Sequence, residues 1–422
     1  MSATVIRDAR VLTMLAPGEE RPPALGRRGQ LVGELGIIPR ADVLIVEDRI
    51  ASVVPRDGAA GGKFPESLRS LSITREIDAR GRILMPGFVD CHTHACWAGS
   101  RVAEWLLKLA GASYQKIMEA GGGILSTVRA TRAASREELT TGLLDRAGRM
   151  LRLGSTTIEV KSGYGLTAEH ELKMLEAIVA AGRVFRGTII PTALLGHALD
   201  PDADPKEFVE RTINETLPRI TEAFPGIAVD AFCEKGAWDV EACWGLFTAA
   251  KRAGHPLRVH VDQFNALGMF QRALELEARS VDHLEASKPE WLGFLPRVET
   301  FAVGLPVCGF HLDGRYADLW TIVELKGKVC IATNFNPGSA PCPSMPLAIG
   351  LAVRHCRLTP AQAIGAATLN PACLLGLDDR GYIAPGARAD LILLHHTDER
   401  ALAYEVGGNP VETVIVGGSI VK

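Results

Sequence analysis

Residues 85–101 read MPGFVDCHTHACWAGSR, an apolar run that ends on two histidines separated by one threonine. Side chains at i and i+2 of an extended strand share a side, so His92 and His94 project together while Thr93 points away. Two neutral imidazoles side by side make half of a transition-metal shell, and the rest of that shell must come from further along the chain. Cys91 and Cys96 flank the pair. The same alternation sets Cys91 opposite His92 and argues against a thiolate ligand.

Working outward, the residues before this stretch read as β structure. ATVIRDARVLTM, ADVLIVEDRIASVVP and REIDARGRILMPGF are short Val/Ile-rich runs separated by Gly, Pro and charged turns. After residue 88 strand-like and helix-like segments alternate. The strand candidates are FVDCHTH, TTIEVKSG, GTIIPTALLGHA, AVDAFCEKG, LRVHVDQF, SVDHLEA, TFAVGLP and VCIATNF. Helical periodicity marks SREELTTGLLDRAGRMLRLG, AEHELKMLEAIVAAGRVF, PKEFVERTINETLPRITEAF, DVEACWGLFTAAKRAG and MPLAIGLAVRHC. Eight βα units predict an α/β chain built on a (β/α)8 TIM-type barrel, whose chemistry gathers at the C-terminal ends of its strands. GYIAPGARADLILLHH and PVETVIVGGSIVK return to short β runs. They are expected to join the N-terminal ones in a small β-sandwich domain drawn from both termini, over 1–84 and 381–422, with the barrel over 85–380.

Composition narrows the function. A chain of 422 residues with 47% apolar content, 6% aromatics and 43 glycines is a globular α/β protein with many tight turns. A formal charge of -3, with both signs spread along the chain, excludes the basic footprint of a nucleic-acid binder. The N-terminus has neither the basic start nor the long apolar stretch of a signal peptide, and no apolar run approaches a membrane span, so a cytoplasmic location is expected. Nine cysteines without a CxxC pair read as reduced, mostly buried thiols. AGGGILS at 120–126 lacks the preceding strand that a phosphate loop requires and better suits a loop closing over a small ligand.

Read in order, the candidate strand ends collect polar residues around one mouth: His92 and His94, then Tyr164, His197, His260 and Gln263, His283, and Asn334 with Asn336. A mononuclear site of His92, His94 and His260 would hold one divalent ion such as zinc or iron with positions open for water, which suits hydrolysis. His283 is placed to act on that water or on the developing oxyanion.

PGFVDCHTH after a small β domain, a later strand-end histidine, a further one and a late GARADLILL resemble the amidohydrolase superfamily of metal-dependent hydrolases. Within it, GSRVAE, GASYQKIMEAGGGILSTVRATR, TTIEVKSGYGLTAEHELKML, FCEKGAW, HVDQF, DHLEAS and NFNPGSAP resemble the imidazolonepropionase family. Members of that family open 4-imidazolone-5-propanoate to N-formimino-glutamate in histidine degradation. The resemblance runs from about residue 80 to the C-terminus. It implies metal ligation by His92, His94 and His260, and a substrate site using Arg101, Tyr114, Tyr164, His197, Gln263, Asn336, Gly338 and Ser339. It also implies a cytoplasmic homodimer acting on a small molecule. A propionate tail calls for a cation such as Arg101, whose planar fork can grip a carboxylate in two places.

The superfamily places an aspartate at the end of strand eight, against the metal and the attacking water. Here CIATNFNPG puts Asn334 there, whose amide oxygen can reach a metal but brings no charge and takes no proton near neutral pH. Gln263 is likewise neutral, which leaves His283 as the evident proton carrier of a catalytic set His283, Gln263 and Asn334. Three functions fit this pattern. They are ring opening of the imidazolone, hydrolysis of another cyclic amide, and a catalytically impaired homologue that binds a small imidazole acid.

Overall fold

The computed structural model describes residues 3–56, 63–68, 71–111 and 122–422. Tyr114 lies outside the described residues. The chain enters the barrel through β5 (Ile83–Pro86), whose residues are all buried, and β6 (Phe88–Asp90) follows after a single glycine. That glycine is required: a Cβ on Gly87 would run into the side chain of Thr156.

The barrel is one parallel sheet in chain order. To β6 it adds β7 (Ser155–Lys161), β8 (Thr188–Gly196), β9 (Ala228–Cys233), β10 (Leu257–Val261), β11 (Ser280–His283), β12 (Phe301–Gly304) and β13 (Lys328–Ile331). All eight expected strands are present. Parallel strands covered on both faces favour apolar residues on both, which is why these runs are rich in Val, Ile, Leu and Ala apart from a few buried charged positions. The ring is nearly closed beyond the last strand, where the Asn334 amide donates to the His92 carbonyl and the His94 amide to the Phe335 carbonyl, both at 3.0 Å. Thr333 adds its hydroxyl to Asp90 Oδ2 at 2.5 Å. The two strand ends that carry His92, His94 and Asn334 are thus stitched to each other.

The covering helices begin where the sequence signals them. Ser135 and Glu138 form a capping box ahead of the helix Arg136–Arg152, which buries Leu139, Leu143, Ala147 and Met150 on one stripe. Residues 205–224, expected as one helix, instead contain a π turn over Thr212–Thr216. Pro218 explains it, because proline has no N–H to continue the i to i−4 ladder.

The terminal runs pair in one mixed eight-stranded sheet. β1 (Ala3–Leu12) lies antiparallel to β2 (Ile37–Val46) and parallel to β4 (Ile73–Asp78) and β5, while β3 (Arg49–Pro55) flanks β2. β14 (Leu391–Leu394) joins β5, and β15 (Val411–Val416) and β16 (Ser419–Ile420) extend the sheet. Among the described residues, no helix is long and apolar enough to cross a membrane. All nine cysteines are free thiols, and only Cys342 is more than slightly exposed.

Candidate active site

His92 and His94 follow just after the end of β6 with their rings gathered beside His260, while Thr93 between them donates its hydroxyl to the Glu159 carbonyl at 2.7 Å. His260 reaches them from β10. Ring nitrogens of the three histidines lie within 4.8 Å of one another, and all three rings are buried. Nδ1–H of His92 donates to Asp282 Oδ2 at 2.5 Å and Nδ1–H of His260 to Asp230 Oδ1 at 3.0 Å, which fixes the tautomer and leaves each Nε2 bare. Nε2 of His92, Nδ1 of His94 and Oδ1 of Asn334 are buried without a hydrogen-bond partner, and Nε2 of His94 sits 3.3 Å from Nε2 of His260. Burial drives the His92 and His94 rings well below the usual imidazole range, aided by Lys161 and His197 respectively, so they are neutral donors. Unpartnered buried lone pairs that converge cost free energy unless a cation takes them up. The donor set of three imidazoles fits one divalent transition ion.

Beneath this triad runs a buried charge network. Lys161 Nζ meets Glu159 and Asp230, each at 2.8 Å, and Arg258 meets Asp282 at 2.7 Å and Glu159 at 3.3 Å. The two carboxylates that hold the imidazoles are therefore themselves held by cations.

Above the triad lies a cavity of about 170 Å³ lined by His94, His197, His260 and His283, by Tyr164 and Phe232, and by Arg101, Gln263, Asn334, Asn336, Gly338 and Ser339. His197 stacks on His94 with centroids 4.9 Å apart and hydrogen-bonds the Gly163 carbonyl through Nδ1 at 3.0 Å. Burial and then His260 push its pKa down to about 3, so the ring is neutral and its other nitrogen accepts. Arg101 pairs with Glu104 through Nε at 2.8 Å and through Nη2, and Nη1 lies against Gly338. One edge of the fork is thus already committed to Glu104. Asn336 lines the cavity with an amide that is fully used: Nδ2 donates to the Asn334 carbonyl at 2.6 Å and to Ser339 Oγ at 2.8 Å, and Oδ1 accepts from the Gly338 and Ser339 amides. Its work is to shape the NPGS loop. Asn334 sits in the left-handed region at φ 54, a conformation asparagine tolerates. Gln263 donates to Cys308 Sγ at 3.3 Å.

A model of the amidohydrolase family matches residues 83–421. Imidazolonepropionase of Herpetosiphon aurantiacus is 41% identical over 411 residues, covering 95% of this chain and 94% of that protein. That of Deinococcus radiodurans is 40% identical over 419 residues, covering 99% and 100%. The chain belongs to the imidazolonepropionases of the amidohydrolase family. The fold extends further than the sequence likeness. The crystal structure of 5-methylcytosine deaminase from Klebsiella pneumoniae matches with a TM-score of 0.70 at 16% identity, covering 99% of this chain and 98% of that one.

Several groups of this imidazolonepropionase-family site escaped sequence reading. Asp230 and Asp282 hold the ligand histidines, and Lys161, Glu159 and Arg258 hold those aspartates. Their signal was available as charged residues inside otherwise apolar strands, in IEVK, VDAF, LRVHV and SVDH. Glu285 lies 3.2 Å from His283 Nδ1 through both oxygens, and Cys308 faces the same ring. Burial alone would lower His283, but Glu285 and Cys308 outweigh it and raise the imidazole to about 10.

Proposed function

We propose that this chain hydrolyses the ring C–N bond of 4-imidazolone-5-propanoate, giving N-formimino-L-glutamate in the degradation of histidine. The observation that carries the reading is the convergence of three buried, neutral imidazoles beside a small cavity whose lining includes the Arg101 cation. The near full-length likeness to imidazolonepropionases supports the same substrate.

His92, His94 and His260 would hold one divalent ion, zinc or iron, with the Asn334 amide oxygen beside it. When bound, that ion supplies an activated water and polarises the ring carbonyl. The chain's own residues do the rest. Arg101, steadied by Glu104, receives the propionate through the part of its guanidinium that Glu104 does not occupy. Tyr164, His197 and Ser339 surround the planar ring, and Gln263 reaches its edge. Outside the described residues, Tyr114 is assigned to the same substrate site. His283 is charged beside Glu285, steadies the oxygen on which negative charge develops, and gives its proton to the ring nitrogen as the C–N bond breaks. The proton released by the attacking water then restores it. Asn336 and Gly338 belong to the same substrate site and keep the loop under Arg101 in shape. The exposed apolar side chains of the helix Val102–Leu109 offer a face for a second copy, and a cytoplasmic homodimer is the assembly we assign.

The experiment is turnover of freshly generated 4-imidazolone-5-propanoate by metal-supplemented protein, followed as loss of ring ultraviolet absorbance. Turnover that vanishes on chelation and returns with metal is the expected result. Substrate binding without turnover would overturn the reading and leave a binding homologue, for which the neutral Asn334 supplies the motive.

A further inference from the structure

His283, Glu285 and Cys308 bring a nitrogen, an oxygen and a sulfur within 4.8 Å of one another. The histidine and glutamate side chains are 2% and 5% exposed and Cys308 is buried. Backbone conformation creates the arrangement. His283 and Leu284 are both left-handed, at φ 87 and 74, which folds the chain back so that Glu285 meets His283. Cys308 arrives from a different element, the helix Pro306–His311 that follows β12. Orientation of His283 for proton transfer needs one acceptor, and Glu285 fills that need with both oxygens. A thiol converging on the same ring is surplus to that task. Gln263, whose amide nitrogen touches Cys308 Sγ, would offer its oxygen as a fourth donor once the amide turns over. Arg315 lies near enough for Glu285 and Cys308 to act on its charge, and its hydrogen bonds go to Asp313, at 2.6 Å through Nη2, and to the Phe264 carbonyl.

We propose that His283, Glu285 and Cys308 form a second metal site, separate from the His92, His94 and His260 triad, that takes up a zinc ion. Thiolate, imidazole and carboxylate together suit zinc and disfavour magnesium or calcium. Uptake releases the thiol proton and the proton on the imidazole, and nothing else changes covalently. Zinc held there removes His283 from proton transfer, so zinc beyond the first equivalent inhibits. That consequence, unlike the site itself, rests on the role given to His283 above.

The test is a zinc titration of the metal-free full-length protein by equilibrium dialysis with elemental analysis. A parallel cobalt titration reports thiolate ligation by its charge-transfer absorption. The wild type is expected to bind two equivalents, the second with the thiolate-to-cobalt band. Cys308→Ser and Glu285→Gln are each expected to bind one equivalent, and Cys308→Ser to lack the band. Retention of the first equivalent shows that the variants fold. A wild type that stops at one equivalent, or a second equivalent that survives both substitutions, overturns the site. Two equivalents in a protein without imidazolone turnover uphold the site while the activity reading falls. A second equivalent that leaves turnover unchanged upholds the site and overturns the inhibition.

Discussion

Gly338→Ala separates substrate grip from fold stability. A Cβ at this position would overlap Arg101 Nη1 and stand 2.9 Å from its Cζ. Comfortable carbon contacts are about 3.5–4.0 Å, so the guanidinium must retreat by about 1 Å. The atoms in the way end a flexible side chain, and the backbone at Gly338 needs no left-handed conformation, so the fold absorbs the change. A hydrogen bond to the propionate near 2.8 Å would stretch to about 3.8 Å, beyond the range in which such bonds count. Loss of one charged hydrogen bond costs about 1.5–3 kcal/mol, or roughly 10–100-fold in binding. With the propionate held by Arg101 as proposed, its grip lies away from the reacting bond and is alike in ground and transition states. KM should therefore rise by that factor with kcat nearly unchanged. Steady-state kinetics on the imidazolone, with a urea melt beside it, reads both quantities. An unchanged KM at unchanged stability would remove Arg101 from propionate binding. A fall in kcat alone would place it at the reacting centre instead.

Asp282→Asn and Asp230→Asn should each weaken zinc binding by about 10–100-fold, measured by competition with a chromophoric chelator, since each holds the outer nitrogen of a ligand histidine. Equal affinity would mean that the aspartates serve only the fold. Lys161→Met removes the cation shared by Glu159 and Asp230, leaving Glu159 only Arg258 and Asp230 only the His260 ring as side-chain partners among the described residues, and should cost about 3–5 kcal/mol of stability in urea unfolding. A loss below about 1 kcal/mol would show that the two carboxylates find protons or water instead. Asn334→Asp adds the missing charge where an unpartnered oxygen already points, and should tighten metal binding and raise kcat. Unaltered affinity would put that oxygen out of the metal's reach.

The barrel was legible because each strand is a short apolar run that closes on a turn signal, and because His92, His94, His260 and His283 all stand at such closings. Pairing across distance was not legible. His92 and Asp282 are 190 residues apart, and nothing local to either announces the other. Glu285 stands within DHLEAS in plain view. Alternation along a strand would put it on the His283 side only if extended backbone continued, and two left-handed residues bring it there by another route. Asn336 shows a different limit. The sequence marks it as a substrate-site candidate, but that its amide also closes the turn of the loop becomes visible only in the structure.

The charge balance beneath the triad bears on how a neutral Asn334 is tolerated. Lys161 and Arg258 bring two positive charges, and Glu159, Asp230 and Asp282 bring three negative ones, all in a buried cluster. The excess of one negative charge is delivered upward through Nδ1–H of His92 and His260, where it makes each imidazole a stronger donor. Asp230 is held well below the usual carboxylate range: burial raises it, but His260 and Lys161 prevail, and it stays ionised to do this. A carboxylate at position 334 would bring its charge into direct contact with the ion. Here the charge comes from one layer further down, through two rings instead of one oxygen. What this route cannot supply is a proton acceptor facing the water, and the strained turn that presses Glu285 against His283 provides a proton carrier in the lining of the same cavity.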